Sequence, residues 1–284
     1  MTLIHKTAVV DPDAELASSV QVGPFAVIEA GVQLGEGCQV MSRVNILRGS
    51  RIGKGNTFFP GCVIGGAAQD ASSKGDEETY LEIGDHNIFR EFVTANRGTF
   101  KEEGVTRIGD HNLFMANVHI AHDCVLEDHI TMANACLLAG HIRIESHAII
   151  GGMVAAHHFV RFGKYCYVAG AARVSQDVPP FVKYGAEGGK RVQGINVVGL
   201  KRGGFEKGPI DALVKAGKMI FGGKLLRAKA LAQVEADPDL QTAEVQDLLA
   251  QLKASEEGRF GRALEAHRKG KISEEIENKK KSNG

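Results

Sequence analysis

Large apolar residues recur at every sixth position through most of the chain. Stepping by six from Ile4 to Ile64, and again from Ile108 to Val174, meets only apolar residues. A shorter run of the same period occupies residues 83–95, and the phase slips by one residue at each junction. A repeat of fixed period indicates a fold in which one structural unit is stacked on itself.

One repeat unit, or hexad, is long enough for a short strand and a turn, and three such strands close a triangular coil. Side chains alternate along a strand, so the large residue and the residue two positions before it both point into the coil. That second position is small or β-branched, and glycine often follows the large residue, where a turn with positive φ favours it. All five cysteines occupy the small inward position, which predicts buried thiols. They are Cys38, Cys62, Cys124, Cys136 and Cys166.

The repeat therefore predicts a mainly β fold, a parallel β-helix of about nine coils that is roughly 43 Å long. Two irregular stretches, near 66–80 and 98–106, interrupt it, and the period is lost after Pro180. From Pro209 onward the apolar residues follow helical spacing. We expect three parts: a hexapeptide-repeat β-helix over residues 1–195, a C-terminal helical domain over 196–268, and a charged, disordered tail over 269–284.

The composition excludes several classes of protein. Lysine and arginine together number 34, as do aspartate and glutamate, so no overall positive field recruits nucleic acid. No run approaches the roughly 18 apolar residues of a membrane span, and no signal-peptide pattern opens the chain. The odd count of cysteines, without paired spacing, argues against a disulfide framework. We expect a soluble cytoplasmic protein with no integral membrane segment.

A cluster of histidines lies in the middle of the chain. His122, Gly140 and His158 are each separated by three hexads, so they share one angular position in the coils, and His141 follows Gly140. His122 falls at a turn, where we expect it to reach solvent and a substrate, and Asp123 can fix its tautomer and keep it a base near neutral pH. The Gly140 amide can stabilise a developing oxyanion.

The remaining histidines and the cysteines suggest less chemistry. A zinc site held by histidines between subunits is a second interpretation of the cluster, although no cysteine points outward to support it. No Gly-x-Ser-x-Gly elbow is present and the cysteines face inward, so no serine or cysteine nucleophile is expected. We interpret the histidines outside the cluster as polar surface residues: His5, His86, His111, His129, His147 and His267.

Five motifs are more specific than the repeat itself. They are IGDHNLFMANVHIAHDC (108–124), LAGH (138–141), IIGGM (149–153), QDVPP (176–180) and GINVVGLKRGGF (194–205). Together they make the chain similar to the acyl-ACP–UDP-N-acetylglucosamine O-acyltransferases, from the first hexad to about residue 262.

The resemblance implies a left-handed β-helix and a homotrimer with active sites between neighbouring subunits. It implies transfer of a 3-hydroxy fatty acyl chain from acyl carrier protein to the 3-position of UDP-N-acetylglucosamine, the first step of lipid A biosynthesis. It implies no metal and no cofactor, because phosphopantetheine arrives on the carrier protein.

The resemblance also assigns roles to single residues. His122 is implied as the general base, Asp123 as the residue that orients it, and Gly140 as the donor of the oxyanion amide. Gln69 and Asp70 belong to a loop that contacts the glucosamine ring. The other residues implied are Lys74, His119, His141, His157 and His158 around the sugar, Asn196 and Arg202 near the nucleotide and its phosphates, and Gly170 at the end of the acyl groove.

Three positions depart from the family pattern. Ser72 stands where a lysine is usual, with Lys74 as the candidate replacement, Asn96 where a histidine is usual, and His158 where a glutamine is usual. A UDP 3-amino sugar, acylated to an amide, therefore stays open as the acceptor. So do the later N-acyltransferase of the pathway, which normally carries an extra N-terminal uridine-binding domain, a CoA-dependent small-acyl transferase, and a non-catalytic ice-binding module, for which no outward Thr or Ser ladder is visible.

Overall fold

The computed structural model describes residues 3–71, 73, 78–185, 191–223 and 225–266. Short strands joined by tight turns wind into a three-sided prism, and helices follow it at the C-terminal end. The predicted left-handed parallel β-helix with C-terminal helices is confirmed. The predicted tail over 269–284 lies outside the described residues.

Each side of the prism is one sheet. The first sheet contains β1 (Leu3–Ile4), β4 (Gln21–Val22), β7 (Gln39–Val40), β10 (Thr57–Phe58), β13 (Ile88–Phe89), β16 (Leu113–Phe114), β19 (Thr131–Met132), β22 (Ile149–Ile150), β25 (Tyr167–Val168), β27 (Val182–Tyr184) and β28 (Val192–Ile195). The second contains β2 (Val9–Val10), β5 (Val27–Ile28), β8 (Asn45–Ile46), β11 (Val63–Gly66), β14 (Thr94–Asn96), β17 (His119–Ile120), β20 (Leu137–Leu138), β23 (Ala155–Ala156) and β26 (Arg173–Val174). The third contains β3 (Glu15–Leu16), β6 (Gln33–Leu34), β9 (Ser50–Ile52), β12 (Tyr80–Ile83), β15 (Val105–Ile108), β18 (Val125–Leu126), β21 (Arg143–Ile144) and β24 (Arg161–Phe162).

Neighbouring strands pair in parallel, with each residue opposite the residue one coil later, except that β27 and β28 pair antiparallel. Leu137, for example, pairs with Ala155. Loops at 67–79 and 97–104 lengthen two coils, yet the strands on either side remain in register, because Thr94 pairs with both Val63 and His119. The irregular stretches of the sequence are therefore excursions at one corner of the prism and not breaks in it.

The core is filled by the large residue of each hexad. Phe58, Phe89 and Phe114 are fully buried. The Phe58 and Phe89 rings stack with centroids 4.9 Å apart, and the Phe114 ring lies tilted against Phe89 at 5.0 Å. All five cysteines are buried free thiols, as predicted, and burial raises the pKa of Cys62 to about 11. Ile4, expected to point inward, is instead 48% exposed, because no earlier coil among the described residues covers it.

Among the described residues, four α-helices follow the last strand. They are α1 (Val197–Arg202), α2 (Lys207–Phe221), α3 (Arg227–Ala236) and α4 (Ala243–Glu257), with 3₁₀ turns at Pro238–Leu240 and Ala263–Glu265. Asp177 joins this part to the last coils, because its carboxylate accepts hydrogen bonds from the Ser255 hydroxyl and the Ala263 amide, both at 2.8 Å. Within the described ranges no helix is long and apolar enough to cross a membrane.

The outer surface of the prism differs in character from one part to another. Outward residues of the third sheet are mostly charged, as at Glu82 and Arg107. The corner between the first and second sheets instead carries exposed Phe25, Phe92 and Met153, at 56%, 61% and 68% of their surface. We call it the apolar corner. Burial of such residues is favourable, so this corner is suited to contact with another molecule.

The corner between the third and first sheets carries a column of stacked rings. His86, His111, His129, His147 and Tyr165 take the same place in successive coils, with ring centroids 5.1, 5.1, 4.8 and 4.5 Å apart and nearly parallel planes. All five residues have positive φ, between 55° and 62°. We call this set the histidine column.

Carboxylates run beside the histidine column. Each accepts a backbone amide from the coil before it: Asp85 from Lys54 at 2.8 Å, Asp110 from Asp85 at 2.6 Å, and Asp128 from Asp110 at 2.7 Å. The sequence interpretation of these histidines as polar surface residues missed this order, although the spacing of His111, His129 and His147 by three hexads was visible.

Candidate active site

A cleft of about 830 Å³ opens at the corner between the second and third sheets, where both long loops leave the prism. Residues 69–71 and 101–103, from the two loops, form one wall, and successive turns of the β-helix form the other. The polar residues lining the cleft are Gln69, Asp70, Lys101, Glu102, Glu103, Arg107, His122, Asp123, His141, Arg143 and His158.

His122 and Asp123 lie side by side in the turn between β17 and β18. Nδ1 of His122 is 2.8 Å from Oδ2 of Asp123. Asp123 has a left-handed backbone conformation in this turn, with φ of 59°. A carboxylate at this distance holds the hydrogen on Nδ1 and leaves Nε2 as the free acceptor of a proton. The expected exposure of His122 is wrong, however, because only 4% of its surface is accessible.

The loop over 97–104 explains the burial of this pair. Thr99 donates two hydrogen bonds to the Asp123 carboxylate, from its amide to Oδ1 at 2.8 Å and from its hydroxyl to Oδ2 at 2.7 Å. On the other side, the Asp123 amide donates to the Thr106 hydroxyl at 2.8 Å. Burial raises the pKa of Asp123, but the hydrogen bonds from His122 and Thr99 outweigh it and hold that pKa below its usual value.

Gly140 lies one coil above His122. A β-carbon on residue 140 would be 2.5 Å from Cε1 and 2.8 Å from Nε2 of His122, so any side chain there would occupy the place of the imidazole. The Gly140 carbonyl accepts the Phe159 amide at 3.4 Å. Among the hydrogen bonds of the described residues, the Gly140 amide donates to no acceptor.

His141 forms the next part of the wall. Its ring meets His122 edge-on, with centroids 5.1 Å apart, and stacks on Phe159 at 4.5 Å. Its Nδ1 lies 3.8 Å from Oδ2 of Asp123 and 3.9 Å from the Glu102 carboxylate. Burial lowers the pKa of His141, while Asp123 opposes that shift, so this imidazole tends to remain neutral. The ring of His158 is 6.5 Å from that of His141.

Two further histidines lie beside the cleft without lining it. Nδ1 of His119 is 2.7 Å from the Thr94 hydroxyl, and burial, followed by repulsion from His122, lowers the pKa of His119. His157 is exposed, and its Nδ1 lies 3.1 Å from the carbonyl of His158. The structure therefore gathers His122, His141 and His158 in the cleft and leaves His119 and His157 at its margin.

The loop over 67–79 brings Gln69 and Asp70 to the cleft. Asp70 pairs with Lys101 at 2.7 Å, which links this loop to the one over 97–104. Lys74 lies outside the described residues.

Three sequence candidates lie elsewhere on the chain. The Asn196 carboxamide begins α1 by accepting the Gly199 amide at 3.1 Å and donates to the Tyr165 carbonyl at 2.9 Å. Arg202 is exposed in the last turn of the same helix. Gly170 is at the apolar corner, where a β-carbon would be 3.2 Å from the Gly152 carbonyl oxygen. None of the three lines the His122 cleft of its own chain.

The cleft also contains possible metal ligands. One atom each from His122, Asp123 and His141 lies within 4.8 Å of the others. Ligands around tetrahedral zinc are about 3.4 Å apart, given bond lengths of about 2.1 Å. Nδ1 of His122 and Oδ2 of Asp123 are closer than that, at 2.8 Å, and share a hydrogen bond, so these two residues are arranged as a base with its orienting carboxylate.

Sequence reasoning missed the residues of the 97–104 loop. Thr99, Lys101 and Glu102 all contact residues of the cleft, and each lies where the hexad period is interrupted. No spacing rule places a residue of an irregular loop, so the repeat offered no signal for them. Thr106 and Phe159 belong to regular coils, and stepping back by three hexads from Phe159 to His141 would have found that stacked pair.

Comparisons with known proteins agree with this geometry. The family model for domain 2 of UDP N-acetylglucosamine O-acyltransferase matches residues 177–260. The acyl-[acyl-carrier-protein]–UDP-N-acetylglucosamine O-acyltransferase of Herminiimonas arsenicoxydans is 42% identical over 89% of this chain and 95% of its own. Its counterpart in Janthinobacterium is 44% identical over 86% of this chain and 93% of its own. A solved UDP-N-acetylglucosamine acyltransferase from Bacteroides fragilis superposes with a TM-score of 0.83 and 38% identity, covering 88% of this chain and 97% of that one.

Hexads wound into a three-sided prism, with a histidine–carboxylate pair at one of its corners, place the chain among the hexapeptide-repeat acyltransferases. Within that class the relatives match it over nearly their whole length. The chain belongs to the acyl-[acyl-carrier-protein]–UDP-N-acetylglucosamine O-acyltransferase family.

Proposed function

We propose that this protein transfers a 3-hydroxy fatty acyl chain from acyl carrier protein to the 3-hydroxyl of UDP-N-acetylglucosamine, the first step of lipid A biosynthesis. The observation that carries the proposal is the hydrogen-bonded His122–Asp123 pair, 2.8 Å apart, in a cleft that also holds Gln69, Asp70 and His141. The names of relatives at 42% and 44% identity support the same reaction.

In the proposed mechanism, His122 is the general base. Its Nε2 removes the proton from the sugar 3-hydroxyl as that oxygen attacks the thioester carbonyl, and the imidazolium formed is stabilised by Asp123. The Gly140 amide donates to the oxyanion of the tetrahedral intermediate. When the intermediate collapses, the C–S bond breaks and the phosphopantetheine thiolate takes the proton back from His122. The ester product and the free thiol leave with the base restored.

We also propose that the active enzyme is a homotrimer. Exposed Phe25, Phe92 and Met153 give the apolar corner a surface whose burial is favourable. Gly170 lies at that corner and His122 at the other edge of the second sheet, so a neighbouring chain packed on the apolar corner would cover a substrate that reaches both. Asn196 and Arg202, which do not line the cleft of their own chain, would then serve a neighbouring one.

The remaining parts of the proposal concern the partners. Arg202 suits the diphosphate of the nucleotide, because its planar guanidinium binds two oxyanions at once. Exposed Arg173, Lys183 and Lys201 give the acidic carrier protein a docking surface. The donor brings its own phosphopantetheine, so we expect no further cofactor, and we expect the reaction to occur in the cytoplasm, where both substrates are made.

The test is product analysis with purified protein and defined substrates. The acceptors are UDP-N-acetylglucosamine and its 3-amino analogue, and the donors are acyl carrier protein and coenzyme A thioesters of several lengths. Mass spectrometry is expected to find an O-acylated sugar nucleotide made fastest from a 3-hydroxyacyl carrier protein. Faster amide formation on the 3-amino sugar would identify that sugar nucleotide as the acceptor instead of UDP-N-acetylglucosamine. Transfer from coenzyme A thioesters alone would overturn the proposal.

A further inference from the structure

The Asp123 carboxylate lies between two imidazoles. Its Oδ2 is 2.8 Å from Nδ1 of His122 and 3.8 Å from Nδ1 of His141. The same carboxylate oxygen therefore faces both imidazoles and is 1.0 Å closer to that of His122. Something in the structure must therefore determine which of the two histidines Asp123 orients.

Thr99 binds both oxygens of that carboxylate. Its amide donates to Oδ1 at 2.8 Å and its hydroxyl to Oδ2 at 2.7 Å, so the plane of the carboxylate is fixed by two points from a single residue. Thr99 is itself 2% exposed, and the cleft lining does not include it. It acts on His122 only through Asp123.

The loop is built to hold Thr99 in this place. The Thr99 carbonyl accepts the amides of Glu102 and Gly104, at 3.2 and 3.1 Å, which closes the loop on itself. The preceding residue must be glycine, because a β-carbon on Gly98 would lie 2.2 Å from the Val105 amide nitrogen. The position of Thr99 therefore follows from the loop backbone and does not depend on a bound substrate.

We propose that Thr99 is a positioning residue that directs Asp123 toward His122 and away from His141, and so determines which histidine becomes the base. The inference rests on the proposed acyl transfer and adds to it a residue outside the repeat. Its hydroxyl restrains the Asp123 carboxylate, which in turn orients the imidazole of the base.

The experiment compares Thr99→Val, which keeps the shape and removes the hydroxyl, with Thr99→Ser, which keeps the hydroxyl. Wild-type turnover of acyl carrier protein and UDP-N-acetylglucosamine is measured first, so a failure of the proposed function is seen separately. In Thr99→Val we expect kcat to fall about 10- to 100-fold, the effect of losing one hydrogen bond to a charged group, with little change in either KM. Thr99→Ser is expected to stay within about threefold of the wild type.

The split between kcat and KM separates positioning from a general loss of structure. A positioning residue that acts through Asp123 lowers kcat alone, whereas a disturbed cleft also raises KM for one or both substrates. Thermal unfolding confirms that each variant is folded. Wild-type kcat in Thr99→Val would overturn the proposal, and so would a Thr99→Ser variant as impaired as Thr99→Val.

Discussion

Residue 140 and His122 compete for the same space. A β-carbon at Gly140 would lie 2.5 Å from Cε1 and 3.0 Å from Nδ1 of the imidazole one coil below. The glycine is needed here for room and not for its backbone conformation, because its φ is not positive.

Gly140→Ala should therefore displace the imidazole of His122. We expect kcat to fall at least about tenfold, because displacement of the base from its reactive geometry slows proton transfer strongly. The binding of UDP-N-acetylglucosamine, measured by calorimetry, should change much less. Gly208→Ala is the control, because a β-carbon at Gly208 meets nothing within 4 Å. Full activity in Gly140→Ala would contradict the close packing described here.

His122→Ala should leave a folded protein with little turnover. General-base help is worth about 10²–10⁴-fold, and kcat for acyl transfer is expected to fall by that amount. Asp123→Asn should cost less, because it disturbs the tautomer but keeps the imidazole. His129→Ala, in the histidine column and outside the cleft, is the matched control and should keep wild-type kcat. A His122→Ala enzyme that turns over normally would remove His122 as the base.

Arg202→Ala tests the contribution of a neighbouring chain. An arginine that binds a remote diphosphate stabilises ground and transition states alike, so KM for the nucleotide sugar should rise about tenfold or more, with a smaller change in kcat. Mixing Arg202→Ala with His122→Ala subunits is the sharper measurement. If the two residues serve one site from different chains, some mixed trimers recover an intact site and activity returns. No recovery would indicate that each chain works alone.

Gly170→Met should shorten the preferred acyl donor. The wild type is expected to prefer chains of roughly 12–16 carbons, because Gly170 lies about 13 Å beyond His122 along the prism at ~4.8 Å per coil. A methionine side chain at residue 170 would fill the end of the proposed acyl groove. The shift in preferred chain length is measured as kcat/KM for donors of different lengths. UDP-N-acetylglucosamine binding should be unchanged. A variant with the wild-type optimum would show that the acyl chain ends elsewhere.

His147, in the histidine column, should make the fold sensitive to acid. Burial, then repulsion from His129, lowers the pKa of His147, while Asp128 opposes the shift. A histidine whose pKa is lower in the folded protein stabilises it fully above about pH 6.5, and that stability is lost as the pH falls through the folded pKa.

Thermal unfolding between pH 8 and pH 5 measures this loss. His147→Phe keeps a stacked ring without a charge, and Phe159 and Phe181 already adopt the same positive φ, near 64°. We expect the melting temperature of this variant to fall less on acidification than that of the wild type. Equal falls would show that His147 does not titrate in this range.

Much of the fold could be predicted from the sequence, because one period determines strand, turn and inward position together. The pairing of Leu137 with Ala155, and the common place of His122, Gly140 and His158, follow from counting three hexads to a coil. What the period could not predict is how the loops fold back. Thr99 binds Asp123, next to His122, from a loop outside the repeat, so the burial of the proposed base was unexpected.

The histidine column has a consequence for how this chain can change in length. Each ring rests on the equivalent ring of the next coil, and each carboxylate beside it accepts an amide from the coil before. Duplicating the whole coil over 111–128 would stack His111 on a second copy of itself and keep the strands of all three sheets in register. Inserting a single hexad would set the column against a different corner. Insertion of a whole coil therefore preserves the ring stacking and the strand pairing, whereas insertion of part of a coil disrupts both.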